Sequence, residues 1–355
     1  MATHKLQIAD IRRETADTVS VLLDVPEALK AEFSYQQGQY ITFIKEIDNQ
    51  ELRRSYSVCE APSSGDLRVA IKQIPNGLFS TYANQTMQVG DWIEVMTPMG
   101  NFIAKADGNA DSRYVFFAAG SGITPIISNI KALLEIEDQS KIVLLYGNKT
   151  ADSIIFKEQI EDLKNQYIGR FEIYHILSRD KDLPTAFQGR IDVDKCKHFD
   201  AISPLTSAQG YYLCGPEEMI LSVSEWLEQA GVEKSKIHFE LFSTGKKAQA
   251  EAEESKAQLE EGKAQVSVIV DGVTVEFELD KNGENILDAA LEAGADVPFA
   301  CKGGVCCTCR AKVMEGEVNM DVNYALQEEE VEEGFVLTCQ SHPVTDKVLI
   351  NFDEL

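Results

Sequence analysis

The sequence is short of positive charge. Its 355 residues carry 33 Lys plus Arg against 58 Asp plus Glu, a formal net charge of −25. Phosphate backbones are held by clustered Lys and Arg, so this balance argues against nucleic acid as a partner. Long apolar runs are missing as well, and with no stretch of bilayer-spanning length no membrane is expected. The opening Met1-Ala-Thr-His-Lys-Leu6 has no apolar h-region, so no secretory leader is read there. The eight cysteines are then expected as thiols in a reducing cytoplasm, not as a disulfide framework. A second C-x2-C pair is also absent, and structural zinc usually takes two such knuckles.

What is present is Cys301-Lys-Gly-Gly-Val-Cys306-Cys307-Thr-Cys309, with Cys339 downstream in Val336-Leu-Thr-Cys-Gln340. The spacing C-x4-C-x2-C…C is the ligand pattern of a plant-type 2Fe–2S cluster. Thiolates are soft donors suited to iron–sulfur chemistry. Gly303 and Gly304 allow a tight loop and let backbone N–H groups approach the sulfurs. Cys301, Cys306, Cys309 and Cys339 are therefore the predicted metal ligands. Cys307 would break the spacing if it replaced Cys306, and it is read as a free thiol, prone to oxidation if exposed. A zinc-binding structural module is the rival reading.

A chain of this length should hold two or three domains, and its hydrophobic fraction of 44% is that of a globular protein. The first hundred residues are strand-like. Val19–Leu23, Tyr40–Ile44 and Leu67–Ile71 alternate with Gly, Pro, Asn and Asp turns, which predicts a small antiparallel barrel. Inside it lies Arg53-Arg-Ser-Tyr-Ser57, readable as a polar strand edge or as a flavin site. On the flavin reading, Arg54 can pair with a phosphate, Tyr56 offers an aromatic face and Ser57 can hydrogen-bond a ring edge. Gly77 and Ser80 flank an expected helix start, where free N–H groups would receive a pyrophosphate.

From about Ser112 strands alternate with helices, which predicts a doubly wound parallel sheet. Tyr114–Ala118 reads as a buried strand, followed by the turn Gly120-Ser-Gly-Ile-Thr-Pro125 and a helix over Ile126–Ile136. Further strands are expected at Ile142–Tyr146, Phe171–Leu177 and Tyr211–Cys214, and helices near Ser153–Gln166 and Glu217–Ala230. The glycine turn is where a dinucleotide phosphate would sit, although tight turns need glycine in any case. Cys214 is open to two readings, a buried core residue or a site residue. Lys246–Lys263 has almost no large apolar residues and reads as a solvated linker. Beyond it, Val266–Val270, Asp271-Gly272 and Val273–Leu279 predict a hairpin with one buried face. Asn285 should cap a helix from Ile286 to Ala293 that ends at Gly294. The predicted boundaries are 1–108, 109–245, a linker over 246–263, and 264–355.

Taken together these residues resemble the ferredoxin–NADP reductase-like oxygenase reductases. The likeness covers essentially the whole chain and is nearest, through Glu51–Ser57, Gly120–Pro125, Tyr146-Gly-Asn148 and Ala300–Cys306, to the subgroup serving di-iron epoxidases. It implies a flavin barrel, a nicotinamide domain and a C-terminal β-grasp ferredoxin. By that resemblance Arg54, Tyr56, Ser57 and Ser80 hold the flavin, with Lys72 near its phosphates. Gly120, Gly122 and Thr124 hold the nicotinamide nucleotide, and Cys214, with Ser57 and Glu240, lies where the rings react. Glu240 and Phe242 lie near the flavin at the end of the nicotinamide domain. Lys149, Ser178 and Arg179 are placed to meet an adenosine ribose, which implies NADPH, with NADH as the alternative. FAD is implied, with FMN as the alternative.

The implied activity is electron transfer from NADPH through flavin and cluster to an oxygenase. The terminal ninety-two residues, 264–355, hold nineteen Asp plus Glu against five Lys plus Arg, which reads either as solubility or as a docking face for that partner. The rival functions are a reductase for another ring- or steroid-hydroxylating oxygenase, a flavin reductase releasing free reduced flavin, and a non-enzymatic iron–sulfur redox sensor.

Overall fold

The computed structural model describes residues 3–108, 112–242 and 262–354. The chain divides into two compact units, Met1–Glu240 and Leu241–Leu355. Most of the linker predicted over 246–263 lies outside the described residues.

The first unit opens with strands β1 (Thr3–Thr15), β2 (Thr18–Asp24), β3 (Tyr40–Ile47), β4 (Gln50–Ser57), β5 (Leu67–Lys72), helix α1 (Leu78–Gln85) and strand β6 (Trp92–Met99). They form an antiparallel sheet in the order β4-β3-β6-β1-β2-β5. Its two edges meet where Val58, just past β4, bridges Val69 of β5, so the sheet closes as the expected barrel. Asp48 and Asn49 take left-handed φ values of 54° and 60° at the β3–β4 hairpin, the conformation a two-residue turn with native twist requires.

The α/β part comprises β7 (Arg113–Ala119), α2 (Ile123–Ile136), β8 (Lys141–Asn148), α3 (Lys157–Gln166), β9 (Phe171–Leu177), α4 (Val193–Asp200), β10 (Gly210–Cys214), α5 (Glu217–Gln229) and β11 (Ile237–Glu240). The sheet is wholly parallel in the order β11-β10-β7-β8-β9, so chain order reverses between β7 and β10. Two helix starts differ from the sequence reading. α2 begins three residues early, because Gly120–Gly122 coil into a 3₁₀ turn that runs straight into it. α3 begins late, at Lys157, because Phe156 sits at a left-handed φ of 60° and Ala151–Ser153 form a separate 3₁₀ turn closed by a Thr150–Ser153 capping box.

Helix α2 is buried on two sides. Ile123, Ile126, Ile127, Ile130, Leu133 and Leu134 line its sheet-facing stripe. Its other side meets the barrel with polar groups. Ser128 Oγ donates to Glu60 O at 2.6 Å, Asn129 Nδ2 to Phe102 O at 3.0 Å, and Ala104 N to Asn129 Oδ1 at 2.7 Å. Lys131 Nζ pairs with Glu60 Oε2 at 2.5 Å and donates to Cys59 O at 3.0 Å. Buried polar groups are tolerable when each finds a partner, and here they weld the two sheets into one unit.

The second unit contains β12 (Lys263–Val270), β13 (Val273–Asp280), α6 (Ile286–Glu292), β14 (Arg310–Glu315), β15 (Val318–Met320), α7 (Glu328–Glu332), β16 (Phe335–Leu337), β17 (Ser341–Pro343) and β18 (Lys347–Asn351). The main sheet runs β13-β12-β18-β14-β16, with β12 and β18 parallel and the other pairs antiparallel. This is the expected β-grasp. The predicted hairpin forms in register, Val270 facing Val273 across Asp271 and Gly272, whose φ values are 49° and 73°. Its expected apolar face is graded: Leu279 is buried, Val275 and Phe277 half-buried, and Val273 exposed, because β13 is an edge strand. Asn285 Oδ1 caps α6 by accepting from Asp288 N at 2.9 Å, and Gly294 follows at φ 86°. Among the described residues no helix is long and apolar enough to cross a membrane.

Candidate functional site

In the first unit the glycine turn stands at the carboxyl end of β7, beside the point where chain order reverses. That is where open α/β sheets bind ligands. Gly120 takes a left-handed φ of 56° with nothing near its Cβ position, and Tyr146 Oη donates to its carbonyl at 3.0 Å. Gly122 is required for closeness: a Cβ there would lie 2.1 Å from Cys214 O. Thr124 Oγ1 donates to Ser121 O at 3.1 Å, so this hydroxyl braces the turn from within. The turn leads into the N-terminus of a helix of fourteen residues, whose free N–H groups and dipole favour an anion.

Cys214 ends β10, an interior strand of the sheet, paired with Ala118 on one side and Glu240 on the other. Its thiol is fully buried within the core, and burial, with the Glu240 charge in second place, pushes it well above the ordinary thiol range. The structure thus brings Cys214 to the crevice by its backbone. Ser57 ends β4 and donates from Oγ to Glu240 Oε2 at 3.4 Å, which joins the barrel to the last strand of the parallel sheet. Glu240 keeps a partly exposed side chain but is closely surrounded by protein. Desolvation lifts its carboxyl to about 8, and the Ser57 hydroxyl acts in the opposite direction. That shift favours the protonated carboxyl over the carboxylate.

On the barrel, Tyr56 stacks on Phe79 with ring centroids 5.7 Å apart, and Phe79 in turn on Phe43 at 5.6 Å. Aromatic support of this kind fixes a ring that could back a flavin. Arg54 is exposed, its guanidinium donating to Arg53 O at 2.7 Å. Gly77 caps α1, and a Cβ there would meet Ile74 Cγ1 at 2.4 Å and Ser80 Oγ at 2.5 Å. The Ser80 hydroxyl accepts from Ile74 N at 3.2 Å and donates to Gly77 O at 3.3 Å. Lys72 Nζ lies 3.7 Å from Asp17 Oδ2 in the β1–β2 turn. Lys149, Ser178 and Arg179 gather at the carboxyl ends of β8 and β9, where Ser178 N donates to Asn148 O and Arg179 N to Lys149 O, each at 2.9 Å. All three are exposed. Phe242, also exposed, falls in the second unit.

In the second unit the four predicted sulfurs converge. Cys306 Sγ is 3.1 Å from Cys301 Sγ, while Cys339 contacts both Cys301 and Cys309. Gly303 N donates to Cys301 Sγ at 3.3 Å, and Gln340 Nε2 to Cys339 Sγ at 3.5 Å. Lys302 adopts φ 51° and Gly304 φ 72°. A Cβ on Gly304 would meet Val322 and Gln340 at 3.0–3.2 Å. Four thiol donors on one loop and its facing turn, with N–H groups aimed at the sulfur, fit a 2Fe–2S cluster. Among the described residues no group is arranged to hold a single metal ion. Cys307 turns away: it is buried in the core and its thiol donates to Ala325 O at 3.3 Å, so exposure is no liability.

Sequence reasoning missed β11 as a strand and the polar face of α2. The strand is only four residues long. The polar face is inconspicuous in sequence, because Ser, Asn and Lys on a helix ordinarily face water.

Three domain families match the chain: an oxidoreductase FAD-binding domain over residues 5–103, an oxidoreductase NAD-binding domain over 116–225, and a 2Fe-2S iron-sulfur cluster binding domain over 268–344. The chain is 37% identical to a subunit of 1,2-phenylacetyl-CoA epoxidase from Escherichia coli K12, over 99% of this chain and 98% of that protein. It is 31% identical to the ferredoxin reductase component of 3-ketosteroid-9-alpha-monooxygenase from Rhodococcus rhodochrous, over 98% and 96%. The solved structure of phthalate dioxygenase reductase superposes with a TM-score of 0.60 at 21% identity, covering 99% of this chain and 98% of that one.

Proposed function

The chain belongs to the flavin- and iron–sulfur-dependent reductase components of oxygenase systems, and from that premise we propose that its acceptor is a di-iron oxygenase that epoxidises phenylacetyl-CoA. The observation that carries this reading is the end-to-end likeness to the phenylacetyl-CoA epoxidase component. The protein is a pyridine-nucleotide-dependent oxidoreductase with FAD and a 2Fe–2S cluster as its cofactors. Bound, these groups convert a two-electron hydride into single electrons for the oxygenase.

The protein's own part is binding and placement. The Gly120–Thr124 turn is read as the nucleotide phosphate site, and Lys149, Ser178 and Arg179 as the pocket for a 2′-phosphate, since a cation and hydroxyl on exposed strand ends suit that group. NADPH is therefore the proposed donor. Tyr56 would face the flavin and Arg54 its phosphate, while Gly77 leaves room at the mouth of α1. Ser57 and Glu240 form a hydrogen-bonded pair at the crevice floor, and the raised carboxyl of Glu240 suits it to donate to a ring edge. The buried Cys214 shapes that floor, and Phe242 keeps only the role that the family resemblance implies for it, a residue near the flavin. Cys301, Cys306, Cys309 and Cys339 would hold the cluster. The proposed modules span 1–108, 109–245 and 264–355, joined by a linker over 246–263.

The acidic surface of the last module is proposed to dock the oxygenase. Its basic residues are largely engaged, as in Lys281–Asp346 at 2.8 Å, Lys302–Asp288 at 2.6 Å and Arg310–Glu330 at 2.9 Å, which leaves the surplus of negative charge outermost. The test mixes the purified protein anaerobically with NADPH and, separately, NADH, then reconstitutes turnover with oxygenase components. Faster flavin bleaching by NADPH and product formation with a phenylacetyl-CoA epoxidase, but not with a 3-ketosteroid 9α-monooxygenase, are expected. The reverse pairing would move the assignment to a steroid-type acceptor.

A further inference from the structure

The polar face of α2 has a consequence for the reaction itself. One helix carries both the proposed nucleotide turn and the seam to the barrel. Its first turn follows Gly120–Gly122 directly, and four residues after Thr124 come Ser128, Asn129 and then Lys131, all between 0 and 7% exposed. On the barrel side the partner is Glu60, three residues beyond Ser57. Glu60 offers its carbonyl to Ser128 Oγ and its carboxylate to Lys131 Nζ, and Lys131 also holds the Cys59 carbonyl. Asn129 closes the far side, bonding Phe102 O and Ala104 N while its amide also bonds Pro125 O within the helix. Gly38, two residues before β3, adds a backbone N–H to Ser128 Oγ at 3.4 Å. Its Cβ position would fall 1.9 Å from Phe102 O, so the backbones are pressed together there.

We propose that Lys131, Glu60 and Ser128 are positioning residues for hydride transfer: a clamp that holds the strand end bearing Ser57 at a set distance from the nucleotide turn. The inference rests on the reading of this crevice as the meeting place of flavin and nicotinamide. A mere domain glue would not need a buried ion pair. Apolar packing is already present, since Cys59, Ala70, Phe102 and Ala104 of the barrel side share one core with α2, and a buried pair gains little over apolar packing of equal volume. What directional bonds add is a defined register between two bodies. Hydride transfer is sensitive to that register, since a displacement of about 1 Å can cost on the order of 100-fold in rate.

The experiment uses the full-length holoprotein and the double variant Glu60→Gln/Lys131→Met, which removes both charges so that neither is stranded. Ser128→Ala is the milder companion. Each is mixed anaerobically with NADPH in a stopped-flow spectrometer. The limiting rate of flavin bleaching, the nucleotide concentration at half saturation, and the long-wavelength absorbance of nicotinamide stacked on oxidised flavin are recorded. The clamp predicts full flavin content, half saturation changed less than about threefold, stacking absorbance weakened, and the limiting rate at least tenfold lower in the double variant and about threefold lower in Ser128→Ala. Should the double variant fail to fold, Ser128→Ala decides alone. Unchanged limiting rate and stacking absorbance with flavin bound would overturn the proposal, as would loss of flavin or a change in half saturation alone. Absence of any bleaching in the unmodified protein would overturn the crevice reading instead.

Discussion

The residues split into those whose chemistry is local and those whose chemistry is conferred by neighbours. The cluster cysteines are of the local kind, since a thiol near others of suitable spacing is a ligand wherever the loop folds. Cys309→Ser is expected to abolish the visible absorbance of the cluster in anaerobically prepared protein while NADPH still bleaches the flavin. Cys307→Ser should leave that absorbance in place, because its thiol donates to Ala325 O. Glu240 is of the conferred kind. Its proton is held up to about 8 by desolvation, so the folded state binds a proton that the unfolded chain releases near 4.5. A raised folded pKa contributes stability that is fully present below the unfolded value and is lost as pH climbs through the folded one. Thermal unfolding of the unmodified protein should therefore shift to lower temperature between about pH 4.5 and 8 from this source. Glu240→Gln should flatten that slope, and an unaltered slope would show that the carboxyl is ionised throughout.

Single elements set the close approaches on which the site depends. The β7–turn–α2 junction can lie against β10 only because position 122 has no side chain. Gly122→Ala forces a methyl toward the Cys214 carbonyl, 2.1 Å from its ideal place. Overpacking of this sort typically costs about 1–3 kcal/mol, and here the obstacle is backbone that cannot swing aside. A lower urea midpoint with an unchanged slope, together with weaker NADPH binding, is the expected result. The same substitution at Gly120 meets open space but a strained φ of 56°, and should disturb the turn without the clash. The elements were largely visible in the sequence because their causes are short-range. Asp271-Gly272 made the hairpin legible, Asn285 and Gly294 bracketed α6, and the apolar run at Tyr114–Ala118 marked β7. The late start of α3 was not, because only the left-handed Phe156 stops the helix from reaching back to Ser153.

Across the whole molecule, charge is the organising quantity. With nineteen acidic and five basic residues over 264–355, an acidic docking face predicts electron delivery that weakens as salt rises, since exposed charges are screened within about 8–10 Å at physiological ionic strength. Turnover with the oxygenase partner should fall several-fold between low and high salt, while reduction of a small uncharged quinone by the same protein stays nearly constant. Equal salt responses would place the docking determinant elsewhere.

The sequence by itself determined the parts: four cysteines with cluster spacing, a glycine turn between strand and helix, barrel strands with their hairpins, and the acidic terminal module. Each follows from residues near one another in the chain, where spacing and turn chemistry act directly. Tertiary structure alone decided what meets across distance. It set Ser57 against Glu240, 183 residues apart, buried the Cys214 thiol, and turned the hydrophilic side of α2 into a sealed seam with Glu60. Burial and electrostatic environment belong to the folded surroundings of a group. No local pattern announces that a lysine on a helix will find its carboxylate on another sheet.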